Sequence, residues 1–325
     1  MKVPPLIKGM AFAPLMGALV ASDSRAAGRD LSIYLSEDVF RGDSPFFYEV
    51  DRRVVTPALT IDGKATPEKV LELQEKYGKR PVVKFKIGTK GLEEEIAFIL
   101  DILGNHLPHR PYFILDANQA HSPESCGRVL ERLAHAGYLE KLLFLEQPSK
   151  VGEEPNGFDT MYAGISPGIR ISWDESVASV SDIKRLSERI GGRQAPDVLI
   201  VPKFEKLGLV EFVEMFAAAD NYGFRVTPST LTGPPNQWAL FAYLAERLPC
   251  FTLPGNPRAI PVEANGYEIL RWREIAQALS FPTGDRILSE REPILDTCIQ
   301  HDGIPDVART VGLDKMPHSL VFRPS

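Results

Sequence analysis

YFILDANQAHSPESCGRVLERLAHAGYLEKLLFLE, residues 112–146, holds one complete unit of the pattern that decides the fold. A short apolar run, YFILD, ends on Asp116. Ser122-Pro123 then offers a capping hydroxyl and a proline pre-set for the first helical turn. PESCGRVLERLAHAG repeats its apolar positions at three- and four-residue spacing, as an amphipathic helix does, and stops at Gly137. A second apolar run, LLFLE, ends on Glu146. Strand, helix and strand in that order form a parallel βαβ crossover, whose strands read as apolar runs because both faces are covered.

The unit recurs in both directions. PALTI (57–61) and VVKFKI (82–87) precede it, and IRISW (169–173), VLIVP (198–202), FRVTP (224–228) and CFTLP (250–254) follow. Helical periodicity fills the gaps in PEKVLELQEKYG, LEEEIAFILDILG, SDIKRLSERI, LVEFVEMFAAADNYG and NQWALFAYLAERL. Thr66-Pro67 and Ser181-Asp182 read as helix starts, Gly78 and Gly104 as helix ends. Eight strands with helices between them, over about 200 residues, is the arithmetic of a TIM-type (β/α) barrel of the α/β class. The rival, an open doubly wound sheet, lacks support because TIDGKATPEK after the first strand carries no GxGxxG turn. Helical ALVASDSRAAGRDLSIYL, the aromatic connector DSPFFYEVDRR and the stretch after 285 stand outside the repeat. The expected organisation is therefore a shortened, partial cap segment at 1–55, a barrel at 56–285 and a C-terminal segment at 286–325 that packs with the cap.

With 44% hydrophobic and 25% charged residues in 325, the chain has the composition of a globular protein. A net charge of −6 and the lack of any basic cluster interleaved with aromatics exclude a nucleic-acid surface. Cys126, Cys250 and Cys298 form no CxxC pair and no disulfide framework, which points to a reducing cytoplasm. Lys2 and Lys8 precede GMAFAPLMGALVAS, a stretch with the look of a secretory signal. Pro14 interrupts it and it is too short to span a bilayer, so a packed helical segment is expected and no membrane partner.

In a (β/α) barrel the strand ends converge on one mouth. Asp116, Glu146 and Asp174 each follow an apolar run, thirty and twenty-eight residues apart. Lys86 ends the strand before them, and Lys203 follows the strand after them. Three crowded carboxylates call for a divalent cation, and Mg²⁺ takes oxygen ligands while keeping positions open for substrate. The two lysines then stand as proton-transfer groups on opposite sides, their pKa lowered by the cation and by partial burial. Lys84, two residues before Lys86, points the same way and assists by its charge. Solvated acids and a surface KFK are the plain reading of any one of these residues; five at matched strand ends outweigh it. His121 is read as a solvated loop histidine.

KFKIG at 84–88, DAN at 116–118, EQP at 146–148, DES at 174–176 and KFEKLG at 203–208 resemble, in order and spacing, the enolase superfamily. The likeness is greatest to its muconate-lactonizing-enzyme-like subgroup of muconate cycloisomerases, o-succinylbenzoate synthases, N-acylamino acid racemases and dipeptide epimerases, and it covers residues 56–260. The resemblance implies Mg²⁺, with Mn²⁺ as a substitute, on Asp116, Glu146 and Asp174. It implies acid/base chemistry at Lys86 and Lys203, with Lys84 and Asn118 in support. The implied reaction is removal of a proton α to a carboxylate, the enediolate being stabilised by metal and lysines, which is the superfamily's established pattern. Racemisation or epimerisation, cycloisomerisation and dehydration all start that way, on a small-molecule carboxylate. The mandelate-racemase subgroup's late histidine base has no counterpart, since no histidine lies between 136 and 300.

The chain departs from the family pattern in three places. The short N-terminal segment leaves the substrate lid reduced, so a catalytically impaired barrel kept for binding or oligomerisation is the alternative. The glycine pair after the second lysine motif is Gly208-Leu209. VTPSTLTGPPNQ and LPGNPRAIPVE stand where acidic specificity residues are usual. Ser229 and Thr230 are the candidates to bind a substrate carboxylate, and Arg258 the candidate for a distal one. Symmetry favours a homo-oligomer.

Overall fold

The computed structural model describes residues 23, 26–28, 34–40, 53–154, 169–190, 198–230, 241 and 244–264. Most of the expected cap segment, most of NQWALFAYLAERL and the whole segment after 285 lie outside the described residues.

The described residues form ten strand segments: β1 Val54–Pro57, β2 Leu59–Ile61, β3 Val82–Lys86, β4 Tyr112–Asp116, β5 Leu142–Glu146, β6 Ile171–Trp173, β7 Val198–Ile200, β8 Arg225–Val226, β9 Ser229–Thr230 and β10 Ala259–Ala264. They pair in parallel throughout, as β2-β3-β4-β5-β6-β7-β8 and as β1-β10-β9. The chain itself links the two sheets. β1 passes through Ala58, whose N–H donates to Val262 at 3.0 Å, into β2, and β8 leads through Thr227 and Pro228 into β9. The strand order thus returns from β10 to the segment where it began, the arrangement of a (β/α) barrel.

The eighth strand is Ala259–Ala264, not CFTLP. Residues 250–254 contribute only a bridge from Cys250 to Val226 and a tight turn from Leu253 to Asn256. β10 finds partners on both sides, Val54–Pro57 and Ser229–Thr230. Those long-range pairings outweigh the ladder bond that Pro261 cannot donate.

Helices cover the outside: α1 Pro67–Tyr77, α2 Leu92–Asp101, α3 Pro123–His135, α4 Val180–Arg189 and α5 Phe204–Asn221. Thr66 accepts from Lys69 N–H and Ser122 from Ser125 N–H, each followed by a proline at the first position. α4 begins at Val180, two residues earlier than a cap at Ser181 suggests, with Ser179 at the N-cap; Asp182 turns back to accept from Ala178 N–H and the Ser179 hydroxyl. Gly104 does not end its helix; it lies in a π-helical turn, Ile102–His106, that carries α2 onward. α5 is broken at Gly208, whose φ of 74° and ψ of 179° belong to a region essentially reserved for glycine.

Alternation along the strands sorts the core into two layers. Val83, Phe85, Phe113, Leu115 and Leu145 face the helices, whereas Val82, Ile114, Phe144 and Leu199 pack with Phe251 inside the barrel. A register shift between Phe113 and Ile114 against β5 accommodates Leu143 as an extra residue and brings Phe144 inward. Among the described residues no helix is long and apolar enough to cross a membrane.

Candidate active site

Register sets the site. Lys86 is paired with Asp116, and Asp116 with Glu146, in one row across β3, β4 and β5. Asp174 follows β6 directly, and Lys203, beyond β7, bridges to Ser229. Ser229 pairs in turn with Glu263 on β10. Lys86 and Lys203 therefore stand four strands apart in the circuit, with the three sequence-identified acids between them on one arc and Glu263 on the other.

Lys84 lies at the centre of this ring. Its side chain is 0% exposed, and Nζ is 2.9 Å from Asp116 Oδ2, 2.8 Å from Glu146 Oε1 and 2.8 Å from Glu263 Oε1. Burial alone would lower its pKa, but the carboxylates of Asp116, Glu146 and Glu263 raise it well above the ordinary lysine value. One ammonium cannot neutralise three acids. Glu146 is accordingly pushed well above the usual carboxylate range by burial and by its acidic neighbours, against the pull of Lys84. Asp174 is raised as well, chiefly by burial, although Lys203 pairs with it directly. Glu263 escapes: burial would raise it, but Lys84 and Lys203 hold it far below the usual range.

Glu146, Asp174 and Glu263 are the described residues that could jointly hold a metal ion, with carboxylate oxygens all within 4.8 Å of one another. Asp116 adjoins them through Lys84, but it is not part of that set. The donor set fits a hard divalent cation, since its ligands are buried oxygens crowded enough to resist ionising together. Beside them Glu175 Oε2 is buried with no hydrogen-bond partner.

Glu263 is not among the residues expected from sequence, because CFTLP and not AIPVEA reads as the eighth strand. The signal was the acid at the end of AIPVEA, in the strand-end position of the other three acids.

The two lysines differ in setting. Lys86 Nζ is 4.0 Å from Asp116 Oδ2, with 31% of its side chain exposed. Lys203 is largely buried and ion-paired to Asp174. Burial would lower its pKa, but Asp174 and then Glu263 raise it above the ordinary lysine value; the lowering expected from sequence is one that a bound cation brings.

Gln147, in the left-handed region at φ 40° and fully buried, ties the loops together. Its Nε2 donates to Ser149 O and Ser176 Oγ, and its Oε1 accepts from the N–H groups of Asp174 and Ser176. Asn118 stands exposed at φ 43°, its N–H donating to Asp116 Oδ1 at 3.1 Å. Ser229 and Thr230 are both fully buried, and the Ser229 hydroxyl is already spent on Glu263 Oε2 at 3.0 Å. Arg258 is not brought to the site. It precedes β10, five residues before Glu263, which puts it roughly 16 Å away toward the opposite end of the barrel. His121 is half-buried, its side chain only 8% exposed, and it pairs with Glu95 instead of standing in solvent.

The same chain matches known proteins over this region. The enolase C-terminal domain-like family model covers residues 66–278. An L-Ala-D/L-amino acid epimerase of Populus trichocarpa is 31% identical over 199 residues, which are 61% of this chain and 45% of that protein. Among solved structures, a muconate cycloisomerase from Azorhizobium caulinodans superposes with a TM-score of 0.54 at 22% identity, covering 74% of this chain and 61% of that one. A dipeptide epimerase from Methylococcus capsulatus, complexed with a Mg ion, superposes at 0.57 and 19% identity, covering 82% and 69%. The chain thus spans less than half the length of the curated relative it matches. A family model that covers residues 66–278, on strands ending in the acids and lysines described above, makes the chain a member of the enolase C-terminal domain-like family, that of the enolase superfamily.

Proposed function

We propose that this chain removes the proton α to the carboxylate of a small-molecule substrate and that Lys86 and Lys203 carry the proton transfer. The supporting observation is their placement: four strands apart around the barrel, with Asp116, Glu146 and Asp174 on the strands between. A substrate seated over those acids presents one face of its α-carbon to each lysine. Asp116, Glu146 and Asp174, with Glu263 alongside, are the residues that would hold Mg²⁺. When bound, the cation polarises the substrate carboxylate and makes its α-proton more acidic.

Lys86, the more open of the two, has room to meet a substrate. Lys203 arrives protonated and paired with Asp174, which suits returning a proton, and accepts one only once Asp174 is engaged elsewhere. Lys84, with every N–H committed to a carboxylate, supplies fixed positive charge and moves no proton. Two faces and two lysines favour epimerisation over the cycloisomerisation and dehydration that share the first step. The curated relative's name, L-Ala-D/L-amino acid epimerase, directs the choice of substrate class to L-Ala-amino acid compounds such as dipeptides.

The test is α-proton exchange in D₂O with Mg²⁺ and L-Ala-L-Glu, followed by mass spectrometry, alongside L-Ala-D-Glu, N-acylamino acids and an EDTA control. Deuterium enters the α-carbon only when metal is present. Lys86→Ala and Lys203→Ala each lose exchange from one epimer by about 10²–10⁴-fold while sparing the other. Exchange indifferent to EDTA and to both substitutions sinks the proposal. Silence on the whole panel favours a barrel that binds without turnover.

A further inference from the structure

Outside the acid cluster, one buried carboxylate serves two loops at once. Glu95 is on the first turn of α2 and is 1% exposed. Its Oε1 accepts from the N–H of Gly88 at 2.5 Å and of Thr89 at 3.3 Å, in the loop that follows Lys86. Its Oε2 is 2.6 Å from His121 Nε2, in the loop that follows Asp116, and that side chain is 8% exposed. The two loops touch elsewhere as well. Ile87 N–H donates to Asp116 O at 2.8 Å. Gly88 adopts φ +89°, and a Cβ there would overlap the Ala120 methyl.

We propose that Glu95 is a positioning residue, clamping the loops after β3 and β4 so that Lys86 and Asp116 keep a fixed separation at the mouth. The inference rests on the roles of Lys86 and Asp116 proposed above. Both oxygens of a carboxylate with almost no solvent are used, each on a different loop, so neither loop can shift without stranding a charged oxygen in the interior. The His121 ring is the link to the second loop. Nothing in the proton-transfer chemistry uses either residue, so their work is done through Lys86.

The test compares His121→Ala and Glu95→Gln with the parent protein by amide hydrogen exchange, by reductive methylation of Lys86 against Lys69 as an internal standard, and by the D₂O assay with L-Ala-L-Glu. The clamp predicts that His121→Ala speeds exchange in residues 86–90, on the other loop, by about tenfold. It also predicts faster methylation of Lys86 relative to Lys69. Turnover falls by roughly 10–100-fold with KM nearly unchanged, as a misplaced catalytic group requires. Glu95→Gln, which keeps an acceptor for Gly88 but loses the charge facing His121, lies between the parent and His121→Ala. Unaltered protection of 86–90 together with unaltered Lys86 methylation overturns the clamp. So does an equal rise in exchange at Leu142–Glu146, since that marks global loosening. If the parent turns over no probe, the functional reading fails, and exchange and methylation alone decide the clamp.

Discussion

A lysine whose three N–H donors all point at carboxylates is fixed charge, and Lys84 is in that state, with contacts of 2.8–2.9 Å to three acids from three strands. Removing one partner of a buried ionic set leaves the rest uncompensated, which typically costs about 3–5 kcal/mol. Lys84→Met, close in volume, is therefore expected to lower the unfolding free energy by that order in the absence of divalent cation. Added Mg²⁺ should recover part of the loss, because two of those acids, Glu146 and Glu263, belong to the group that could hold the cation. Urea unfolding of parent and variant, with EDTA and with Mg²⁺, measures both. A variant as stable as the parent in EDTA would mean that Asp116, Glu146 and Glu263 do not depend on Lys84 for their charge. KFK could be read from sequence as a strand with two lysines on one side. Which lysine is buried among acids and which is open to substrate depends on depth along the barrel axis, a coordinate that alternation alone does not carry.

Between elements, the site is held by side-chain amides and carboxylates that join one strand-end loop to the next. Gln147, directly after β5, accepts from the N–H groups of Asp174 and Ser176 and so fixes the loop after β6 that presents Asp174. Partners of this kind typically account for 10–100-fold in metal affinity. Gln147→Ala is expected to weaken Mg²⁺ binding by about that factor, measured by isothermal titration, while the far-ultraviolet circular dichroism stays that of the parent. Unchanged affinity would show that Asp174 needs no such anchor. The strands from 82 to 200 were legible because each is a short apolar run, followed at or just past its end by a charged residue and set between segments of helical periodicity. β10 was not. CFTLP has better strand composition than AIPVEA, whose proline argues against a strand, and the choice is made by pairing with Val54–Pro57, some two hundred residues away in sequence. With that strand went Glu263, which completes the acid group, and Arg258 was drawn toward a mouth it does not reach. Likewise His121 looked solvated because its partner, Glu95, comes from a helix and not from the strand-end pattern.

For the whole molecule, the charges at the mouth set how folding answers to metal. Asp116, Glu146, Asp174 and Glu263 outnumber Lys84, Lys86 and Lys203, and burial pushes Glu146 and Asp174 toward the neutral form. The carboxylates meet only when the barrel is formed, because they come from strands spread between residues 116 and 263. A divalent cation that binds the folded chain and not the unfolded one stabilises it by RT ln(1 + [L]/Kd), about 2.7 kcal/mol at a hundred times Kd. For a domain of this size each kcal/mol moves the midpoint by roughly 2–4 °C, so saturating Mg²⁺ should raise Tm by roughly 5–10 °C over EDTA. Asp174→Asn, which removes one donor from the set, should lose most of that increment, while Glu93→Gln, on the exposed face of α2, should keep it. The distinction matters because ionic strength alone also shifts Tm, so each scan is matched with NaCl at equal ionic strength. A rise that survives Asp174→Asn would place the cation elsewhere on the molecule. If Mg²⁺ gives the parent no rise beyond its NaCl control, the acid group binds no cation in the folded chain.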